Sequence, residues 1–153
     1  MQDRRFRTRD FALENGAVLP ELELAYVTHG RLAPDGRNAV LLTHGYTSSH
    51  FMVDGEAGPR TGEWGTLVGP GAPIDTDKLF VVASNMLGSS HGSTGPGSLD
   101  PRTGRPYGPD FPDISLADIV AAQRAMLDSL GVRRLVAVAG PSYGGFQFGS
   151  CAR

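Results

Sequence analysis

Three short runs of this chain are apolar almost from end to end: Ala39–Thr43 (Ala-Val-Leu-Leu-Thr), Leu79–Ala83 (Leu-Phe-Val-Val-Ala) and Leu135–Ala139 (Leu-Val-Ala-Val-Ala). A strand with one wet face alternates apolar and polar residues. A strand covered on both faces has no solvent side, so its sequence need not alternate. The three runs therefore predict central strands of a parallel sheet. Parallel neighbours need crossovers, which are normally helical and right-handed. The expected class is α/β, in a chain of 153 residues, near the usual size of one domain.

The flanking segments add to this. Phe11–Leu13 reads as a short strand, Asn15-Gly16 as a tight turn, and Leu22–Thr28 alternates like a second strand. Together they predict an N-terminal antiparallel hairpin, with residues 1–10 as a flexible lead. The best helix runs from Leu116 to Leu130. Ser115 and Asp118 have the spacing of a capping box, and Ile114 and Ile119 that of a hydrophobic staple. Leu116, Ile119, Val120, Met126, Leu127 and Leu130 form one stripe, and Gly131 is the expected stop. The first crossover has little helical pattern beyond a turn or two at Glu63–Val68. Leu87–Pro112 is a long Gly-, Ser- and Pro-containing loop, and a loop of that length is usually functional.

Composition narrows the possibilities. Fourteen basic and sixteen acidic residues leave a formal net charge of −2, so no broad positive field attracts nucleic acid or an acidic membrane. The 21 glycines and 11 prolines have no fixed period, which excludes collagen. A single cysteine, Cys151, cannot form an internal disulfide, which fits a reducing compartment. Met1–Asp10 is charged and does not read as a signal peptide. No apolar run approaches the about 20 residues that span a bilayer. The expectation is a soluble cytoplasmic protein.

The chemistry is concentrated after the third run, at Gly140-Pro141-Ser142-Tyr143-Gly144-Gly145. This is G-x-S-x-G at the end of a predicted strand and the start of a predicted helix. A nucleophile held on a sharp strand-to-helix turn needs a strained backbone, and the small residues Gly140 and Gly144 on either side allow close approach. The competing reading is a Gly-rich turn whose serine caps the helix; placement after a buried strand favours the nucleophile. A dinucleotide loop would need G-x-G-x-x-G, which is absent, and Gly88–Thr94 lacks the Lys of a phosphate-binding loop. The segment Thr43-His44-Gly45-Tyr46-Thr47 follows the first parallel strand, where a loop can supply one oxyanion N–H. The N–H of Tyr143, after the serine, would supply the other. His44 reads as a residue that stiffens this loop rather than a base. His50 and His91 lack metal-ligand spacing, so no metal is expected. His29 reads as a surface residue and Cys151 as an ordinary thiol.

These stretches resemble the homoserine O-acetyltransferase-like group of the α/β-hydrolase superfamily. The matching residues are Asn38 to Gly45, Gly65 to Gly71, Ile74 to Lys78, Ser84 to Gly88, Gly92 to Pro96 and Thr103 to Pro112. The helix with Asp118, Ile119, Val120 and Gln123 and the turn at Ser142 complete the match. The resemblance covers most of residues 11–148. It implies an α/β-hydrolase fold, here its N-terminal part, and ping-pong acyl transfer without a bound cofactor. An acyl-CoA would acylate Ser142, and the acyl group would pass to a small hydroxylated acceptor such as homoserine; related proteins hydrolyse esters. Carried over by position, Ser142 is the nucleophile, and Tyr46 and Tyr143 give the oxyanion N–H groups. Two stretches depart from the usual motifs. The elbow is Gly-Pro-Ser-Tyr-Gly-Gly rather than Gly-Gly-Ser-Met-Gly-Gly. The loop Gly45-Tyr46-Thr47-Ser48-Ser49-His50 replaces a more common Ala-Leu-Thr-Gly-Asp-Ala-His.

In this superfamily the acid and then the histidine follow the serine. Residues 143–153 contain no Asp, Glu or His. The expected domain is thus a single, incomplete α/β-hydrolase domain truncated just after the elbow. Two functional readings follow: a serine acyltransferase or ester hydrolase by descent, or a catalytically inactive fragment that binds a ligand or partner chain. The uncovered edge of the last strand also predicts self-association.

Overall fold

A computed structural model of the chain describes residues 3–54 and 64–147. The strands are β1 (Arg4–Ala12), β2 (Val18–His29), β3 (Ala39–Thr43), β4 (Val68–Gly69), β5 (Ile74–Asp75), β6 (Phe80–Ser84), β7 (Leu99–Asp100), β8 (Arg105–Pro106) and β9 (Leu135–Ala139). The helices are α1 (Leu116–Ser129) and α2 (Tyr143–Phe146), with 3-10 turns at His50–Val53 and Gly108–Asp110. Five strands form one sheet in the order β1-β2-β6-β3-β9; β4-β5 and β7-β8 are two-stranded ribbons. β1, β2 and β6 pair antiparallel in succession, and β6, β3 and β9 run parallel.

The unbroken apolar runs have the expected cause. Along β3, Ala39 and Leu41 face one core while Val40 and Leu42 face the other; along β6, Phe80 and Val82 oppose Val81 and Ala83 in the same way. The first core is covered by α1. The second is covered by the turn at Met52 and Val53 and by Val68. β9 differs: it pairs with β3 alone, and a bulge between its pairings to Ala39 and Val40 leaves Val136 60% exposed. Among the described residues it is an apolar edge strand.

β1 corrects the expectation of a flexible lead. It begins at Arg4 and pairs with β2 from Arg4↔Tyr26 to Ala12↔Val18. Its charge concealed it: the arginines occupy an edge strand, where charge is tolerated and discourages edge-to-edge pairing. Phe6 and Phe11 pack against the first core. Across the pair, Glu23 receives both Arg5, at 3.1 Å, and Arg7.

α1 forms as its sequence predicts. Asp118 N–H donates to Ser115 Oγ (3.1 Å) and Ser115 N–H donates to Asp118 Oδ2 (2.8 Å), closing the capping box. At its other end Gly131, at φ +80°, donates to the Asp128 carbonyl, and Val132 donates to that of Leu127, the pairing of a Schellman stop. Ile119, Ala122, Met126 and Leu127 are buried, whereas Val120 is half-buried. The 87–112 loop is tied down by Ser93 and Thr94, whose hydroxyls accept from the N–H groups of Ala25 (3.1 Å) and Glu23 (2.8 Å). Where β6 ends, the loop thus continues to satisfy β2. Glu63, Phe148 and Cys151 lie outside the described residues. Among those described, no helix is long and apolar enough to cross a membrane.

Asp118 also accepts the Glu14 N–H at 2.9 Å, joining the N-terminal hairpin turn to the helix start while 3% exposed. Asp118→Ala therefore removes two bonds at once, those its carboxylate accepts from Ser115 N–H and Glu14 N–H. It is expected to cost about 2–3 kcal/mol, read as a lowered denaturation midpoint; an unchanged midpoint would contradict this role.

Candidate functional site

The parallel strands β3, β6 and β9 all end on one side of the sheet, where crevices of open α/β sheets bind ligands. β9 ends one residue before Gly140, and α2 begins one residue after Ser142. The intervening turn is tight: Gly144 N–H donates to the Pro141 carbonyl (2.9 Å) and Gly145 N–H to that of Ser142 (2.8 Å). Ser142 sits at φ +51°, ψ −123° and is exposed. A side chain in that backbone region is strained, at a cost of order 1–3 kcal/mol, and persists only where its surroundings enforce it.

What enforces it is the end of β3. A Cβ on Gly140 would lie 2.1 Å from the Thr43 carbonyl oxygen and 2.3 Å from Thr43 Oγ1. On Gly144 it would lie 2.5 Å from the same carbonyl and 2.8 Å from that of His44. Both glycines exist because backbone passes where a side chain would be. Thr43, fully buried, then donates its hydroxyl to the Gly144 carbonyl at 3.1 Å, with the Ala139 carbonyl at 3.4 Å. Sequence reading missed Thr43; only its place at the end of an apolar run hinted at it.

The loop after β3 lies against this turn. A Cβ on Gly45 would be 3.9 Å from Ser142 Cβ. The ring of Tyr46, 78% exposed, meets that of Tyr143 edge-on at 5.9 Å. Neither Tyr46 N–H nor Tyr143 N–H has an acceptor among the described residues. Beside them is a cavity of about 360 Å³ lined by Tyr46, Tyr143, Met86, Leu87, Ile114 and Ile119. The structure therefore gathers Ser142, Tyr46, Tyr143, Gly140 and Gly144 at one place.

The histidines have other work. His44 is fully buried; Nδ1 donates to the Gly45 carbonyl (2.7 Å) and Nε2 accepts from Met86 N–H (3.3 Å). Both nitrogens are engaged, and burial holds its pKa below the ordinary imidazole value. His50 is buried beside Asp3, with Nε2 at 3.1 Å from Oδ1. Burial outweighs that carboxylate and lowers its pKa to about 4. His29 is half-buried and His91 exposed. Among the described residues no group of three or more His, Cys, Asp or Glu could hold a metal ion.

Two outcomes are expected. Gly140→Ala forces its methyl into the Thr43 carbonyl and should cost about 3 kcal/mol or more, or prevent folding; a soluble variant with an unchanged midpoint would contradict the packing. For His50 the folded pKa lies below the unfolded value, so the unfolded chain binds the extra proton. Stability is then fully present above about pH 6.5 and falls as pH drops towards about 4. His50→Gln should flatten that part of a stability–pH curve.

No protein-family model matches the chain. It is 46% identical over 140 residues to a homoserine O-acetyltransferase of Geobacter sulfurreducens, covering 90% of this chain and 38% of the relative. Among solved structures, homoserine O-acetyltransferase from Bacillus anthracis superposes with a TM-score of 0.86 at 30% identity, over 97% of this chain and 42% of that one. An esterase superposes equally well, with a TM-score of 0.86 at 35% identity over 95% of this chain and 42% of that one. The chain thus spans about two fifths of the length of the proteins it matches. Over nearly all of its own length, this chain is a homologue of the homoserine O-acetyltransferase-like group of the α/β-hydrolase superfamily.

Proposed function

We propose that this chain carries the nucleophile and oxyanion elements of a serine-dependent acyl transfer enzyme. The supporting observation is the backbone of Ser142, held at positive φ between two glycines packed on the Thr43 carbonyl, with its side chain exposed next to Tyr143, which lines the cavity. In the first step Ser142 Oγ attacks the carbonyl carbon of an acyl donor, for which an acyl-CoA is the expected class. The carbonyl opens to an oxyanion that accepts from the N–H groups of Tyr46 and Tyr143. Collapse breaks the carbon–sulfur bond, releases the CoA thiol and leaves an acyl-serine. A small hydroxylated acceptor, homoserine in the relatives' reaction, then attacks the acyl-serine and regenerates Ser142; with water the same cycle is ester hydrolysis.

The proton on Ser142 Oγ needs a base. No Asp, Glu or His stands among residues 143–153, and the nitrogens of His44 are both engaged. This favours a second reading for these 153 residues taken alone: they place the serine but do not turn over. An oxyanion hole without a working triad retains about 10³-fold over water.

A fluorophosphonate probe separates the readings. Stoichiometric labelling at Ser142 of the folded protein, lost in Ser142→Ala, is expected for the enzyme. Labelling only on mixing with a polypeptide matching the remaining three fifths of a relative supports the second reading. A folded sample that Ser142 leaves unlabelled in both settings would overturn the proposal.

A further inference from the structure

A buried chain of polar contacts runs behind the elbow. The His44 Nδ1–H bond to Gly45 holds the loop that precedes Tyr46, and His44 Nε2 accepts from Met86 N–H. Met86 Sδ in turn accepts from Gln147 Nε2 at 3.0 Å. Gln147 Oε1 accepts from Gln123 Nε2 at 2.8 Å, and Gln123 Nε2 also reaches Ser84 Oγ at 3.0 Å. His44 and Gln147 are fully buried, Gln123 is 1% exposed and Met86 3%. The path starts at the loop carrying one oxyanion N–H and ends on the residue that caps α2, the helix carrying the other.

Helix propensity does not hold α2 in place. Two of its four residues, Gly144 and Gly145, each disfavour a helix by about 1 kcal/mol relative to Ala. The Thr43 hydroxyl fixes its start. At its far end, among the described residues, the side-chain anchors are those of Gln147. A buried amide is also costly where an apolar side chain would fit, and Gln123 stands within the apolar face between Ile119 and Met126. Its Oε1 has no partner among the described residues, so this site keeps an amide despite an unsatisfied acceptor.

We propose that Gln147, held by Gln123, is a positioning residue that sets the separation between the Tyr46 and Tyr143 N–H groups. This rests on the acyl-transfer reading of Ser142. Binding of an acyl donor depends on the cavity, whereas the oxyanion forms only during reaction. Displacing α2 should therefore slow acylation by more than it weakens binding, although Tyr143 of α2 also lines the cavity.

The test compares the protein with Gln147→Leu, Gln123→Leu and a control, Val53→Ala, which loosens the second core without touching this polar path. Fluorophosphonate inactivation gives a binding constant and a first-order rate; amide hydrogen exchange reports the Gly144 and Gly145 N–H bonds. Expected for Gln147→Leu is an about 10- to 100-fold lower rate with a much smaller change in the binding constant. Gly144 and Gly145 should exchange faster while β3 stays protected, and Val53→Ala should do neither. Gln123→Leu breaks the same 2.8 Å bond from α1 and serves if Gln147→Leu does not fold. A folded variant with the parent's rate and protection, or an equal loss in Val53→Ala, would overturn the proposal. If the parent is unlabelled both alone and with the complementary polypeptide, the acyl-transfer reading fails and the exchange comparison alone decides the positioning role.

Discussion

The contact on which the site depends is that of one backbone turn on another strand's carbonyl. β9 enters beside β3 with Leu42 opposite Ala139, so the chain leaving β9 must cross the end of β3 at once. It can do so only with no side chain at Gly140 and Gly144, both of which face the Thr43 carbonyl. The Thr43 hydroxyl then fastens the turn. The positive φ of Ser142 is the geometric remainder: with both flanking positions pinned, the serine takes up the bend. The energy for this comes from the two cores that clamp β3 and β6 from either face.

Much of this was legible from residue order. The apolar runs marked β3, β6 and β9 to within one residue. For β3 and β6 this is because strands covered on both faces leave a signal that does not depend on partners, whereas β9 carries the same signal but lies at an edge among the described residues. Ser115, Asp118 and Gly131 marked α1 because caps are local chemistry. G-x-S-x-G marked the turn for the same reason, since missing side chains are visible in sequence. β1 was hidden because edge pairing is a property of the neighbour. Its arginines look like a solvated tail until Glu21 and Glu23 are opposite them.

The site was less legible than the fold. Ser142 and the two glycines are sequence-adjacent, and their motif names them. Thr43, Met86, Gln123 and Gln147 meet only after the sheet has formed, from four separate elements. A glutamine inside the apolar stripe of α1 was the one available sign, and without Gln147 opposite it that sign has no interpretation.

The central claim is that packing on Thr43 imposes the strained backbone of Ser142. The most direct measurement is the denaturation midpoint of Ser142→Gly against Ser142→Ala. At an unstrained position glycine is the less stable of the two by about 0.5–1 kcal/mol. Enforced positive φ reverses that order, because glycine relieves the strain. The account predicts the glycine variant to be the more stable; the ordinary order, with alanine ahead, would contradict it.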